Sequence, residues 1–147
     1  MSRILLLAAL AILYLYGLSN SGLIGPDEPR YASIGREMAR TGDWITPVLW
    51  GDKWFEKPAL LYWLSGLGFK AGLGTEVAPR LPSAMAALAF VIFLYRFLRD
   101  RLDEATARRT ATILATTAAW VVSGFAGATD MLLAATFNVA MLNAVFK

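Results

Sequence analysis

Apolar and polar residues in this chain are grouped in long segments. Apolar stretches cover residues 4–24, 81–98, 107–127 and 131–147, and charged segments separate them. A helix needs about 20 predominantly apolar residues to cross a bilayer, so the pattern predicts about four transmembrane helices. Ile4 to Leu18 carries no charge. A cleaved signal peptide is the alternative for this first stretch, because small polar residues follow it at positions 19–21.

The polar segment after the first stretch begins with a predicted amphipathic helix, Glu28 to Arg40. Apolar side chains recur there at helical spacing, at Tyr31, Ile34 and Met38. Asp27 stands at the expected N-cap and Gly42 at the expected C-terminal stop. The segment is too short to cross a bilayer, so we expect the helix to lie at the membrane surface.

Asp43 to Lys57 is expected to be irregular, because Pro47 and Gly51 interrupt it and Pro58 follows it. Its aromatic residues suit the boundary between water and lipid, where a ring keeps one edge hydrated. They are Trp44, Trp50, Trp54 and Phe55. Lining a lipid or sugar cavity is the alternative role for the tryptophans.

Pro58 to Leu73 is apolar but short, and whether it spans decides the topology. If it spanned, the arginine-rich loop after residue 98 would lie outside, against the tendency of positive charge to stay in the cytoplasm. The arginines concerned are Arg96, Arg99, Arg101, Arg108 and Arg109. We therefore place Pro58 to Leu73 at the interface, the N-terminus and the arginines in the cytoplasm, and residues 25–73 outside.

The third apolar stretch, Ala107 to Gly127, carries a small residue at every fourth position. The series consists of Ala107, Ala111, Ala115, Ala119, Ser123 and Gly127. Small side chains let helices in lipid approach one another closely. The pattern predicts one continuous helix with a packing ridge along one side.

Composition supports a membrane protein. Of the 147 residues 57% are hydrophobic, and the mean hydropathy is +0.52, above the usual range of soluble domains. The chain has no cysteine and no histidine, which excludes disulfides, thiolate metal sites and the commonest general base. The basic residues behind the net charge of +3 are scattered, so we expect no binding of nucleic acid.

Residues 25–63 combine eleven charged side chains with four of the five tryptophans, and such polar density beside a membrane segment indicates a functional site. Two motifs lie within it, Asp-Glu-Pro-Arg-Tyr at Asp27–Tyr31 and Phe-Glu-Lys-Pro at Phe55–Pro58, with Tyr62 and Trp63 after the second. Together they resemble the first external loop of membrane glycosyltransferases of the GT-C architecture. The resemblance extends to about Asp130 and is to the bacterial aminoarabinose-transferase-like branch of the protein-mannosyltransferase superfamily.

The resemblance implies an all-α, multi-pass protein of the bacterial inner membrane, with juxtamembrane helices in the first external loop. Residues 1–147 are then a single membrane domain, either the N-terminal portion of a longer module or a truncated product, and residues 25–73 are its external catalytic loop. The implied donor is a polyprenyl-phosphate sugar, and the implied acceptor is a lipid, as in lipid A modification, or a protein. A divalent metal ion is a candidate cofactor, and no nucleotide cofactor is implied.

The resemblance also assigns roles to individual residues. Asp27 is the expected catalytic base, since a carboxylate near the membrane surface can take the proton of an acceptor hydroxyl. Lys57 is expected to contact the donor phosphate, where a fixed cation stabilises growing negative charge. Asp130 is the second acidic position of the catalytic set, and Glu56 is the expected metal ligand. Substrate binding is expected at Arg30, Glu28, Tyr31, Lys53 and Tyr62.

Structural roles compete with these assignments. Asp27 and Asp130 both stand where helix N-caps are expected. Glu56 and Lys57 can form an interfacial ion pair, and Arg30 can lie on a solvated helix face. Single basic residues at an interface, such as Lys53 and Arg80, indicate little by themselves.

Two other functions compete with transfer for the whole chain. One is a non-catalytic helical membrane module that binds lipid headgroups or a partner through the external loop. The weaker one is a transporter fragment, although the sequence shows no inverted repeat and no pair of broken helices.

Overall fold

The computed structural model describes residues 3–146, with side chains from residue 8 onward, and this range folds into helices around one short hairpin. The helices are α1 (Arg3–Leu15), α2 (Asp27–Thr41), α3 (Leu60–Lys70), α4 (Val77–Arg101), α5 (Glu104–Thr116), α6 (Ala118–Phe125) and α7 (Thr129–Val145). Strands β1 (Val48–Leu49) and β2 (Asp52–Lys53) pair antiparallel between α2 and α3. The predicted, mostly helical architecture is confirmed.

The longest helix, α4, supports the rest of the fold, and each of the other six described helices contacts it. With 25 residues and a hydropathy of 1.8 in its most apolar window, α4 is the one described helix long and apolar enough to cross a membrane. The apolar helix α7 has 17 residues, and α1 has 13. The count of about four spans therefore stays a prediction.

The predicted apolar face of α2 is confirmed. Tyr31, Ile34 and Met38 are buried, and they share one core with Leu61 and Tyr62 of α3. The helix ends at the predicted stop: Gly42 has φ of 78°, and its N–H donates to the carbonyl oxygen of Met38. A left-handed residue at this position closes a helix, and glycine adopts that conformation at no steric cost.

Two glycines let α2 and α3 pack with their backbones close together. A Cβ atom on Gly35 would lie 2.8 Å from the Cβ of Ser65. A Cβ atom on Gly66 would lie 3.0 Å from the carbonyl oxygen of Gly35 and 2.8 Å from the ring of Trp44. The crossing therefore admits no side chain larger than hydrogen at either position unless neighbouring atoms move.

The length of α3 supports its predicted position at the interface. Its 11 residues give about 17 Å of helix at about 1.5 Å per residue, whereas the hydrocarbon core of a bilayer is about 30 Å thick. Further contacts hold the turn after α3 against α2, because Arg36 donates to Thr75 Oγ1 over 2.8 Å and stacks over the Phe69 ring at 5.0 Å. The side of the membrane on which α2 and α3 lie stays a prediction.

The prediction of one continuous helix from Ala107 to Gly127 is wrong. The backbone turns at Thr117, which has φ of −66° and ψ of 125°, and this extended conformation separates α5 from α6. The hydroxyl groups of Thr116 and Thr117 donate back to carbonyl oxygens of the last turn of α5, and such bonds bend helices. The ridge is accordingly buried at Ala107, Ala111 and Ala115, whereas Ala119 is exposed.

A tyrosine from α1 satisfies the backbone at this break. Because α5 ends, the carbonyl of Ala115 lacks its helical partner, and the hydroxyl of Tyr14 donates to it over 2.8 Å. The Tyr14 side chain is completely buried. It also lies against Gly124 of α6, where a Cβ atom would meet the tyrosine ring at 3.2 Å. The break is thus part of the packing between α1, α5 and α6.

The segment expected to be irregular contains the β1–β2 hairpin. Val48 pairs with Lys53 and Leu49 with Asp52, and the turn between them consists of Trp50 and Gly51, with φ of 53° and 101°. Two left-handed residues match the twist of the flanking strands. Asparagine or glycine is usual at the first of these positions, so a tryptophan there gave no hairpin signal.

Candidate active site

A buried ion pair lies directly beside the predicted catalytic base. Arg80, near the start of α4, is 4% exposed, and Glu28, the second residue of α2, is 6% exposed. The Nε atom of Arg80 donates to Glu28 Oε1 over 3.1 Å, and Nη2 donates to Oε2 over 2.8 Å. This bidentate geometry is the strongest arrangement of a guanidinium with a carboxylate.

The remaining donors of Arg80 reach the loop that connects α1 to α2. Nη1 donates to the carbonyl oxygens of Leu18 and Ser21, each over 2.9 Å, and Nη2 donates to the carbonyl oxygen of Gly22 over 2.8 Å. All five N–H groups of the guanidinium therefore have acceptors. A lysine, with three donors on one nitrogen, cannot reproduce this set.

Glu28 also accepts hydrogen bonds from two backbone amides. The N–H of Ile24 donates to Oε2 and the N–H of Gly127 donates to Oε1, each over 2.7 Å. Gly127 lies in the linker between α6 and α7, so the carboxylate joins that linker to the start of α2. We call Glu28, Arg80 and the backbone groups that they bind the Glu28–Arg80 network.

The network keeps Glu28 ionised, and it supplies hydrogen-bond donors to both carboxylate oxygens. Burial acts to raise the pKa of Glu28, but the hydrogen bonds from Arg80, Gly127 and Ile24 outweigh it and hold the pKa below its ordinary value. Both carboxylate oxygens are engaged by donors of the protein itself. The sequence predicted substrate binding by Glu28, and we leave it out of the proposed substrate contacts for this reason.

Asp27, the predicted catalytic base, is the first residue of α2, and its side chain is 56% exposed. Its carboxylate lies 3.7 Å from the Nη1 atom of Arg30. The predicted N-cap role is wrong, because Pro26 is the cap residue and, among the described residues, no backbone N–H donates to Asp27. The carboxylate is therefore accessible at the start of the helix, within 4 Å of one basic side chain.

Glu56 and Lys57 form a second charged pair just before α3. Lys57 Nζ lies 3.7 Å from Glu56 Oε1, and the side chains are 39% and 53% exposed. The alternative of an ion pair is therefore observed. A pair this exposed contributes little to stability, so both side chains are free to bind a ligand at small cost.

The buried Tyr31 is under the electrostatic influence of several of these charged residues and of Asp130. Its side chain is 4% exposed. Burial raises the pKa of Tyr31, the negative charges of Asp27, Glu56 and Asp130 raise it further, and Arg30 acts to lower it. Charged residues of α2, of the loop before α3 and of α7 thus all act electrostatically on one buried phenol.

Asp130 is the second residue of α7 and is exposed. Its predicted N-cap role is also wrong, because Ala128 is the cap residue and no side chain caps this helix. The linker before Asp130 is fixed on α4. Ser83 Oγ donates to the carbonyl oxygen of Ala128 over 3.2 Å, and a Cβ atom on Gly127 would lie 3.2 Å from the carbonyl oxygen of Pro79.

Tyr62 lies under Tyr31 and does not reach the surface. The two ring centroids are 5.8 Å apart, and Tyr62 is completely buried. Burial, together with the nearby Tyr31 and Glu56, raises the pKa of Tyr62 to about 12. Its hydroxyl has no hydrogen-bond partner within residues 3–146. Its predicted role in binding substrate stays a prediction, and its observed role is to support Tyr31.

The hairpin carries the remaining predicted substrate residue, Lys53. It lies exposed on β2 opposite Val48. The four aromatic residues predicted to lie at the boundary between water and lipid differ in their exposure. Trp50 and Phe55 are 77% and 68% exposed, whereas the other two aromatic residues, Trp44 and Trp54, pack half-buried against the core.

The described residues do not fit a metal ion on their own. Within the part of the chain that the structure describes, no group of three or more Asp, Glu, His or Cys side chains is placed to hold one. Glu56 supplies one carboxylate, and its neighbour is the ammonium group of Lys57. Divalent cations need several oxygen ligands, so the metal role of Glu56 stays a prediction.

The sequence reasoning passed over Arg80. Three of its acceptors are backbone carbonyl groups, and its acidic partner lies 52 residues away, so no spacing pattern indicates the contact. One signal was present: Arg80 begins the apolar stretch that forms α4. An arginine at the edge of a span is costly unless it is paired.

Comparison with known proteins finds aminoarabinose transferases among the relatives of this chain. An undecaprenyl phosphate-alpha-4-amino-4-deoxy-L-arabinose arabinosyl transferase of Pseudomonas paraeruginosa is 41% identical over 100 residues, 65% of this chain and 18% of that protein. An arabinosyl transferase 2 of the same name from Pseudomonas fluorescens is 37% identical over 111 residues, 75% of this chain and 19% of that protein. The chain thus spans about a fifth of the length of the curated relatives it matches.

The fold matches crystal structures of ArnT from Cupriavidus metallidurans. The structure bound to undecaprenyl phosphate superposes with a TM-score of 0.89 at 31% identity, over 95% of this chain and 26% of that one. The apo structure gives a TM-score of 0.81 at 33% identity, over 90% and 25% of the two chains. Residues 56–146 match the family described as dolichyl-phosphate-mannose-protein mannosyltransferase. The chain therefore belongs to the dolichyl-phosphate-mannose-protein mannosyltransferase family, among whose members it is similar to the aminoarabinose transferases.

Proposed function

We propose that the protein takes part in glycosyl transfer from a polyprenyl-phosphate sugar to a lipid or other acceptor at the outer face of the bacterial inner membrane. One observation carries this proposal: an exposed carboxylate and an accessible lysine lie at the starts of two helices that pack against each other through a core containing Tyr31. Asp27 comes from the start of α2 and Lys57 from the loop before α3, where its partner Glu56 acts on the same tyrosine.

The relatives support the class of donor. The matched proteins are named as transferases that use an undecaprenyl phosphate-linked sugar, and one matched crystal structure contains undecaprenyl phosphate. The resemblance of the loop motifs favours a lipid acceptor, as in lipid A modification. We further propose a bacterial inner-membrane location with a cytoplasmic N-terminus, supported by the positive charge of the α4–α5 region.

Asp27 acts as the base in this proposal. Its carboxylate takes the proton of an acceptor hydroxyl as the hydroxyl oxygen forms a bond to the anomeric carbon of the sugar. The bond from that carbon to the donor phosphate breaks, and polyprenyl phosphate leaves with the electron pair. A single displacement from the opposite face inverts the anomeric centre. No general acid is needed, because a phosphate leaves readily as an anion.

Lys57 acts on the donor. The phosphate already carries negative charge before reaction and gains more as the bond to the sugar breaks, so a nearby ammonium group lowers the barrier. The exposed ion pair with Glu56 can open to admit the phosphate, since such pairs are weak. Arg30 lies 3.7 Å from the Asp27 carboxylate, and it holds the base in place or contributes a second positive charge to the phosphate.

The test replaces Asp27 with asparagine in the protein as it is expressed in its membrane. Asp27→Asn preserves the shape of the side chain and removes the base, so transfer from a radiolabelled polyprenyl-phosphate sugar should fall by about 10²–10⁴-fold, while donor binding persists. Asp52→Asn is the matched control, because Asp52 is an exposed carboxylate of the same external loop, on the hairpin strand β2. It should retain wild-type transfer.

Normal transfer by Asp27→Asn would overturn the proposal. The external loop would then be assigned as the lipid-binding or partner-binding surface of a non-catalytic membrane module. Binding of vesicles that contain polyprenyl phosphate, measured for wild type and for Lys57→Ala, separates these outcomes, because a catalytic donor site needs the lysine and a general docking surface does not.

A further inference from the structure

The Glu28–Arg80 network connects two positions of the proposed active site without touching the reacting atoms. Glu28 follows Asp27 directly in α2, and the Gly127 amide that binds its Oε1 atom lies three residues before Asp130. One carboxylate therefore joins the segment that carries the proposed base to the segment that carries the second acidic residue.

We propose that the Glu28–Arg80 network is a positioning device that fixes Asp27 and Asp130 relative to each other beside Tyr31. The proposal rests on the proposed function, because it assigns Asp27 and Asp130 to one active site. Glu28 and Arg80 are positioning residues in this account, and neither is expected to contact substrate.

Three separate segments are held by α4 in this arrangement. Arg80 binds the loop after α1 through its Leu18, Ser21 and Gly22 carbonyl groups, and it binds the start of α2 through Glu28. The linker before α7 is the third segment, because Ser83 Oγ on the next turn of α4 donates to the Ala128 carbonyl. The close packing of Gly127 on Pro79 fixes how deep this linker lies.

Stability alone does not explain such an arrangement. A buried ion pair costs much of its attraction in lost hydration, and apolar residues of the same volume often stabilise a protein equally well. The network instead supplies directional bonds to five backbone groups, at Leu18, Ser21, Gly22, Ile24 and Gly127. Each bond sets a distance and an angle, so the network specifies the position of its segments.

Position matters more than attachment for a proton-transfer site. A misplacement of about 1 Å at the reacting groups can cost on the order of 10²-fold in rate. Asp27 and Asp130 are both exposed, and, within residues 3–146, neither side chain is fixed by a hydrogen bond. Their placement therefore depends on the backbone segments that carry them, and the network binds those segments through the amides of Ile24 and Gly127.

The first arm of the test measures distance and needs no activity. The chain has no cysteine, so Pro29→Cys on α2 and Leu133→Cys on α7, both exposed, can be spin-labelled selectively. Electron–electron resonance gives the distribution of distances between the labels. We expect one narrow distribution in wild type, a broader one in Arg80→Lys and in Glu28→Gln, and no change in Glu37→Gln, which removes an ion pair elsewhere on α2.

The second arm separates positioning from mere destabilisation. Turnover is measured per folded molecule well below the melting temperature, together with the Kd for vesicle-borne polyprenyl phosphate. We expect Arg80→Lys to lower turnover by on the order of 10²-fold while the Kd stays within about twofold. A purely structural role would instead lower the melting temperature and leave turnover per folded molecule unchanged, which would overturn the proposal.

Ser83→Ala keeps the test decisive if the network variants do not fold. It removes one buried hydroxyl from the α4 platform and leaves the ion pair intact, so we expect a folded protein with a measurably broader distance distribution. An unchanged distribution in every folded variant would overturn the proposal. Loss of transfer in Asp27→Asn with unchanged distance and turnover in Arg80→Lys would do so while leaving the proposed function standing. A protein without transferase activity would fail only the proposed function, since the distance arm is independent of it.

Discussion

Arg80 donates two of its hydrogen bonds to the carboxylate of Glu28, although 52 residues separate the two side chains in the sequence. The pair is nearly excluded from water, and it closes the α1–α2 loop, the start of α2 and the α6–α7 linker onto α4. Removing one partner of a buried pair leaves an unpaired charge, which costs about 3–5 kcal/mol. Exchanging the two residues should not restore stability, because the backbone partners of each would meet a group of the wrong polarity.

Acid should remove the stability that Glu28 contributes. Its folded-state pKa is lower than its ordinary value of 4.5, so the contribution is complete above about pH 4.5 and disappears as the pH falls through the folded-state pKa. We expect the melting temperature of wild type to exceed that of Glu28→Gln by a constant amount at neutral pH and by less in acid. Thermal melting in detergent between pH 7 and pH 3 measures this difference, and a gap that widened in acid would contradict the assignment.

The break between α5 and α6 gives a prediction that concerns one oxygen atom. Tyr14→Phe removes the hydroxyl that binds the Ala115 carbonyl and leaves the ring in place. The buried carbonyl then lacks a partner, so unfolding should become easier by about 1–2 kcal/mol. Tyr16→Phe is the matched control, because Tyr16 is 74% exposed. Equal denaturation midpoints for the two variants would show that the bond contributes nothing.

At the crossing of α2 and α3, replacing glycine with alanine should destabilise the protein, although helix propensity alone predicts stabilisation. Alanine normally favours a helix over glycine by about 1 kcal/mol, yet Gly35→Ala and Gly66→Ala place a methyl group 2.8 Å from a neighbouring carbon atom. Overpacking costs about 1–3 kcal/mol, so both variants should melt at lower temperature than wild type. Gly74→Ala, in open surroundings, should melt like wild type, and stabilisation by Gly35→Ala would refute the close crossing.

Sequence patterns predicted the buried face and the end of α2 well, because both depend on residues that are near one another in the sequence. The spacing of Tyr31, Ile34 and Met38 identified the buried face of α2, and Gly42 identified its end. The prediction for the small residues from Ala107 to Gly127 also rested on residue spacing, but there it gave one helix where the structure has two. A period of four continues through Thr117, where paired threonine hydroxyl groups and a tyrosine from α1 favour a break.

Contacts within the candidate site were predictable only where the residues are near in sequence. The motifs around Asp27 and Lys57 identified two charged pairs that the structure contains. The part played by Arg80 was not predictable, because its geometry depends on backbone atoms brought together by the complete fold. The burial of Tyr62 and the occupied carboxylate of Glu28 have the same cause.

The topology can be measured with single cysteines and an impermeant thiol reagent. Leu102, at the α4–α5 turn, is 60% exposed, and it is a better reporter than Asp103, which caps α5 through the Thr106 amide. We expect Asp52→Cys to be labelled in intact cells and Leu102→Cys only after permeabilisation. Labelling of the second position in intact cells, with protection of the first, would reverse the proposed orientation.

The two lysines of the external loop should differ in their effect on the donor. Lys57 lies beside Glu56 just before α3, whereas Lys53 lies on strand β2 of the hairpin, exposed and without an ion-pair partner among the described residues. The donor phosphate carries charge in the bound state and more in the transition state. Lys57→Ala should therefore weaken donor binding and lower turnover further, and Lys53→Ala should change both by less than about threefold. Binding of polyprenyl phosphate in vesicles and single-turnover transfer, measured on the same preparations, give the two quantities separately. Equal losses in the two variants would mean that the loop attracts phosphate by its overall charge, and would remove Lys57 from the proposed site.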